Sequence, residues 1–134
     1  HAGPCLVVTA GTATTVDLLS AAGDFLGGLI LPGVELMQQA LARGTAQLPL
    51  AEGRFEWQPR RTVDAIRSGC LQAQTGAVER MFRQIAADPD ALCLLGGGAA
   101  DSFADLLEIP LRRIDNLVLT GLGTVATLSP TPTR

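Results

Sequence analysis

The sequence predicts an α/β domain in which a three-stranded antiparallel meander precedes alternating helices and strands. Three observations carry that expectation. The first third of the chain holds three short runs rich in β-branched and apolar residues, joined by tight Gly-containing turns. The remainder alternates helical periodicity with brief apolar runs. With 134 residues, 47% of them hydrophobic, the chain is long enough for one core and too apolar for a disordered segment.

The elements follow in order. Residues 5–10 form a short Val-rich strand, interrupted by Gly11-Thr12-Ala13 as a turn. Residues 14–19 resume with β-branched residues, and 21–24 make a hairpin-like turn before a third strand at 25–31. Pro32-Gly33 closes that strand and opens a helix over 34–43, where Val34, Met37, Gln38 and Leu41 recur at helical spacing and Gly44 stops it. Residues 45–59 carry two prolines and little periodicity, and read as a long loop. From 62 to about 87, Ile66, Cys70, Ala73, Ala77, Met81 and Ile85 repeat at threes and fours, with Thr62 in the N-cap position. A buried strand at 91–95 runs into Gly96-Gly97-Gly98. A short helix at 101–108, a last strand at 117–119, a helix at 122–128 and a frayed tail at 129–134 complete the expectation. This chain order is that of a ribonuclease-H-like domain.

Composition removes several chemistries. All 10 basic residues are Arg, there is no Lys or Tyr, and the single His is His1. A Walker-type phosphate loop needs a Lys, and a Ser-His-Asp or Cys-His nucleophile needs an internal His. Cys5, Cys70 and Cys93 are too widely spaced for a zinc site and, being three, for a disulfide framework, which points to a reducing cytoplasm. With 13 acidic residues the formal net charge is −3, and no basic stripe invites nucleic acid. No apolar run has the length of a membrane span.

Against that background the glycine turns stand out. Gly11-Thr12 between two strands lets a backbone approach a ligand closely, while a hydroxyl and amides hold phosphate oxygens, although an ordinary β-turn explains it as well. Gly96, Gly97 and Gly98 lie between a strand and a helix, a placement suited to nucleotides or to simple loop freedom. Gly27-Gly28 inside a strand implies either close packing by another backbone, ligand or subunit, or a bulge. Arg60-Arg61-Thr62 reads as a substrate clamp or as an N-cap. Asp17, Asp24, Glu35 and Asp64 are scattered acids, of which Asp17 could face a metal, and Trp57 reads as packing.

Taken together, GTATTVD, GGLILPG, the helix running to LARGTAQLP, and RRTVDAIRSG resemble the type III pantothenate kinases, a family that includes the Bvg accessory factors. The resemblance spans about residues 5–128. It implies a fold of the actin/sugar-kinase superfamily, made of two ribonuclease-H-like halves. Residues 1–128 correspond to the second half, and the first domain, with its phosphate loop and its general-base Asp in a Gly-x-Asp-Arg motif, is absent from this chain. The implied activity is ATP- and Mg²⁺-dependent phosphorylation of pantothenate, the first step of coenzyme A synthesis, by a cytoplasmic homodimer. Thr12, with Gly11, matches the threonine that contacts ATP. Gly96, Gly97 and Gly98 match an adenosine segment that more often reads Thr-Gly-Gly, and Thr62 matches the threonine that contacts pantothenate. Thr9 stands where the family has the Asp that ligates potassium or ammonium, so the resemblance leaves no metal ligand here. The Gly27-Gly28 strand and the following helix match the dimer interface. A non-catalytic regulatory protein on the same fold is the alternative, and Thr9 is the kind of change such a protein carries.

Overall fold

The computed structural model describes residues 1–44, 52–117, 120, 121 and 124. Its centre is a five-stranded sheet of β1 (Cys5–Ala10), β2 (Ala13–Leu19), β3 (Phe25–Pro32), β4 (Leu92–Gly96) and β5 (Leu111–Arg113), in the spatial order β3-β2-β1-β4-β5. The first three strands pair antiparallel, and β1, β4 and β5 run parallel. The predicted meander therefore forms, and the parallel half is added on its β1 side. This mixed sheet is that of the ribonuclease-H-like fold.

Strand alternation decides which face is buried. On one face Leu6, Val8 and Ala10 of β1 stand opposite Leu18, Val16 and Thr14 of β2, and Leu6 and Val8 flank Cys93 and Leu95 of β4. All of these are buried. Helix α2 (Thr62–Phe82) covers them with Cys70, Leu71, Val78 and Phe82, and α1 (Val34–Gly44) packs beside α2. Among the described residues no helix is long and apolar enough to cross a membrane.

The β3 edge explains its two glycines in different ways. The register slips between Leu18 and Leu19, leaving Leu26 as an extra residue in a bulge, and Gly27 there takes φ +135°. Gly28 lies directly opposite Asp17, so close to the Asp17 side chain and the Val16 carbonyl that a Cβ has no room. Both readings of the pair thus apply, one to each glycine.

Three expectations are corrected. The second helix ends at Phe82, not near residue 87, because beyond Arg83 the amides of Gln84 and Ile85 turn to Met81 and Phe82, three residues back. Ile85 stays buried, so the apolar period outlasts the α-helix. Residues 101–108 form two 3₁₀ turns, Ala100–Ser102 and Ala104–Leu106, instead of one helix, since Phe103 at φ −139° interrupts them. The last strand is Leu111–Arg113, aligned on β4 through Cys93 and Leu111, whereas Leu117 is helical after an Asp115-Asn116 turn. Helical conformation recurs at Thr120, Gly121 and Thr124. The remainder of the predicted 117–119 strand and 122–128 helix, the 129–134 tail and residues 45–51 of the loop lie outside the described residues.

Cys5, Cys70 and Cys93 are free and buried. Burial pushes the Cys93 thiol from 9.0 up to about 12, with Cys5 beside it adding to the shift. Burial also raises Cys5, against the pull of the N-terminal charge, and Cys70, against the pull of Arg67. A raised folded value means that the folded state holds the proton more tightly, so this stability is fully present below pH 9.0 and is lost as pH rises towards about 12. Because the chain has neither Lys nor Tyr, few other side chains titrate in that window. The urea midpoint should therefore fall between pH 9 and pH 12, and Cys93→Ala should flatten the decline relative to its own value at neutral pH. An equal decline in both proteins would assign it elsewhere.

Candidate functional site

The site gathers where the parallel strands β1 and β4 end. Gly11-Thr12 forms the tight β1–β2 turn, closed by the Gly11 amide donating to the Ala13 carbonyl at 3.0 Å. Beside it the chain leaves β4 through Gly96, Gly97 and Gly98. Thr9 is aligned with Gly96 across the parallel pair. The Ala99 amide donates to the Ala10 carbonyl at 3.0 Å, and Gly97 lies against the Ala10 backbone at φ +98°. Two glycine turns far apart in sequence are thus locked together, at the strand ends where open α/β sheets hold ligands.

Two cavities flank this junction. One of about 480 Å³ is lined by Gly11, Thr12, Glu35, Leu36, Gln39, Gly98 and Ala99. The other, about 610 Å³, is lined by Thr9, Gly97, Gly98, Arg113, Ile114, Asp115, Asn116 and Leu117. Gly98 borders both, and a Cβ on it would meet nothing within 4 Å among the described residues. Gly96 is different: it is buried, and a Cβ would come within 2.9 Å of the Ile114 carbonyl and 3.0 Å of Leu117. Ile114 and Leu117 also line the larger cavity, so its wall closes directly onto Gly96.

The structure brings together Gly11, Thr12, Gly97 and Gly98, with Thr9 on one wall. Thr62 stands apart from them and lines neither cavity. It is also not the N-cap: Arg61 occupies that position, and Thr62 is exposed in the first turn of α2. A strap of residues 52–59 fixes its surroundings. The Arg54 amide donates to Asp64 Oδ1 and the Glu56 amide to Ser68 Oγ, each at 2.9 Å, with both acceptor residues buried. Asp64 also lies 3.9 Å from Arg61, which is otherwise exposed. Trp57 meets Phe55 edge-on at 5.0 Å yet stays 66% exposed, so packing uses only one side of its ring. Asp17 packs beside Gly28, and Ser20 and Asp24 hydrogen-bond within their own turn.

Sequence reasoning missed Gln39 and the Arg113–Leu117 wall, and took Glu35 for a scattered acid. The available signal was Asp115-Asn116, a turn-forming pair in which Asn116 takes φ +54°. Arg113 is held by an ion pair with Asp101 that ties β5 to the first 3₁₀ turn.

The strand order, an antiparallel meander extended in parallel on its β1 side, places the chain among ribonuclease-H-like domains. Solved structures agree on the fold. The chain aligns with a Campylobacter jejuni protein described as a Baf family transcriptional activator at TM-score 0.71 and 22% identity, covering 92% of this chain and 57% of that one. With a chain of a PilM–PilN type IV pilus biogenesis complex the TM-score is 0.51 at 22% identity, over 84% of this chain and 36% of the other. The sequence goes further than the fold. Residues 1–84 match the family model of type III pantothenate kinase. Proteins of that name from Aromatoleum aromaticum and an Azoarcus species are 65% and 60% identical over 126 residues, 94% of this chain. The chain belongs to the type III pantothenate kinase family. It spans about half the length of the curated relatives it matches, 52% and 48% of these two.

Proposed function

We propose that this chain is the nucleotide-holding second half of an enzyme that phosphorylates pantothenate with ATP, the opening step of coenzyme A synthesis in the cytoplasm. The observation that carries the reading is the junction of Gly11-Thr12 with Gly97-Gly98, which opens on two adjoining cavities. Thr12 and Gly11 hold phosphate oxygens in the smaller cavity, and the larger one, behind Gly96, Gly97 and Gly98, takes the adenosine. The donor set of the smaller cavity fits Mg²⁺: Glu35 brings a carboxylate and Thr12 a hydroxyl, and Mg²⁺ is commonly held by one or two carboxylates with water and phosphate oxygens. When bound, the ion neutralises charge on the transferring phosphoryl group. Thr62 orients pantothenate at the head of α2. The general base belongs to the first half of the family's architecture, so these 134 residues alone turn over nothing.

An apolar groove of about 440 Å³ between α1 and α2, lined by Pro32, Leu36, Met37, Leu41, Ile66 and Ala73, adjoins the β3 edge where Ile30 is 81% exposed. Exposed apolar surface of this kind supports the homodimer that the family resemblance implies.

Thr9 favours a second reading, a regulatory protein on the same fold. It also sets the cation expectation: a hydroxyl lacks the charge of the carboxylate that holds potassium or ammonium in the family, so this position does not fit that ion. The test is ATP-dependent pantothenate phosphorylation by the full-length gene product, with and without potassium or ammonium. Turnover insensitive to either ion is expected, with Thr12→Ala raising KM for ATP about tenfold, the weight of one hydrogen bond to a charged group. Cation-stimulated turnover would assign the ion to another ligand, with Asp115 in the same cavity as Thr9. No turnover from folded protein would leave the regulatory reading.

A further inference from the structure

Gln74 lies in the middle of α2, fully buried. Its Nε2 donates to the Pro32 carbonyl at 2.7 Å and also approaches Met37 Sδ at 3.5 Å, while its Oε1 has no partner among the described residues. Rotating the amide by half a turn would set Oε1 against the Pro32 oxygen, two acceptors facing each other, so the orientation is fixed. A buried amide oxygen without a donor is unfavourable, and an apolar side chain of the same volume would avoid that penalty. The main polar interaction of Gln74 is therefore its bond to Pro32.

That bond reaches the candidate site in two steps. Pro32 is aligned with Ala13 at the end of β3. The next amide, of Gly33, donates to the Thr12 carbonyl at 2.7 Å, and the Gly33 carbonyl accepts from the Met37 amide to start α1. Gly33 sits so close to the Gly11 and Thr12 carbonyl oxygens that a Cβ has no space there. The Pro32-Gly33 corner is thus fixed to α2 by Gln74, to α1 by Met37 and to the turn by Thr12. We infer that Gln74 is a positioning residue for the Gly11-Thr12 turn, holding from within the core the corner against which that turn rests. The consequence for nucleotide binding rests on the proposed function, whereas the geometric link stands without it.

Gln74→Met keeps the volume and removes the amide. Val78→Ala, one turn along the same buried face and without a bond to the corner, reports a general loss of stability. In the 134-residue chain, exchange of the Gly33 amide should quicken about tenfold in Gln74→Met beyond any change in global stability, the effect of one lost buried hydrogen bond. Val78→Ala should change it only as far as global stability changes. In the full-length gene product, Gln74→Met should raise KM for ATP about tenfold while KM for pantothenate holds. Unchanged Gly33 exchange in folded Gln74→Met overturns the inference, as does an equal rise in KM for ATP in Val78→Ala. Gln74→Leu is the second variant, and failure of both to fold would make Gln74 a residue of the fold itself and overturn the positioning role. If the unmodified product does not turn over, the proposed function fails, and Gly33 exchange alone decides the geometric link.

Discussion

Gly97→Ala should be among the most damaging single-methyl changes at the described residues, lowering stability by about 3 kcal/mol or more. Two independent costs meet there. Gly97 adopts φ +98°, a region L side chains rarely adopt, so any Cβ strains the backbone before it touches anything. The Cβ would then fall on the Ala10 carbonyl oxygen and within 2.7 Å of the Ala10 nitrogen. Neither neighbour can yield cheaply. Ala10 is at the end of the central strand, pairs with Thr14 on one side, and accepts the Ala99 amide on the other. Gly98→Ala is the matched control, because among the described residues its Cβ meets nothing within 4 Å and no positive φ is involved. Thermal unfolding of the two variants separates the effects: Gly97→Ala should unfold far below the parent, and Gly98→Ala should stay close to it. Similar melting of both would mean that the β1–β4 junction is not the rigid element described. Because that junction also joins the two cavities, nucleotide binding by Gly97→Ala should fall with its stability.

What could be read from the sequence was set by local signals. β1 and β2 announce themselves because each alternates buried and half-buried residues across a two-residue glycine turn, and both partners of the hairpin lie within fifteen residues. β5 does not. It is three residues long, carries one half-buried residue, Leu111, and two exposed arginines, and exists because it pairs in parallel with β4 across a crossover. The apolar run at 117–119 offered a better local pattern, yet Leu117 is turned into a helical segment by Asp115-Asn116. The site divides in the same way. Gly11, Thr12, Gly97 and Gly98 were visible because glycine-containing turns at strand ends are a local signal, although of the four only Gly97 takes a positive φ. Gln39, Arg113 and Gln74 were not visible as site residues, since nothing local distinguishes them from other polar residues. Their places follow from the packing of α1, β5 and α2 onto the sheet.

The second large effect is expected at Phe103, among the largest fully buried side chains of the described residues. The segment after the glycine turn has no continuous helix to stabilise it. Its amides bond three residues back, Ser102 to Ala99, Phe103 to Ala100, Leu106 to Phe103 and Leu107 to Ala104, in two separate 3₁₀ turns. Such turns hold poorly alone. The ring of Phe103, between them and within the core, supplies the anchorage that the backbone does not. Phe103→Ala should cost about 3–5 kcal/mol, as large-to-small core changes of this size do. For a domain of this length that lowers the melting temperature by roughly 10–20 °C. Phe103→Leu keeps much of the volume and should lose well under half as much. The two variants also test the segment's link to the site. Arg113 at the wall of the larger cavity is paired with Asp101 of the first turn, so loosening that turn frees Arg113. If Phe103→Ala melts no lower than Phe103→Leu, the anchorage must come from elsewhere. If it does melt lower, the proposed function adds that nucleotide should recover part of the loss, because a ligand held in the cavity lined by Gly97, Gly98 and Arg113 would bind only the folded form.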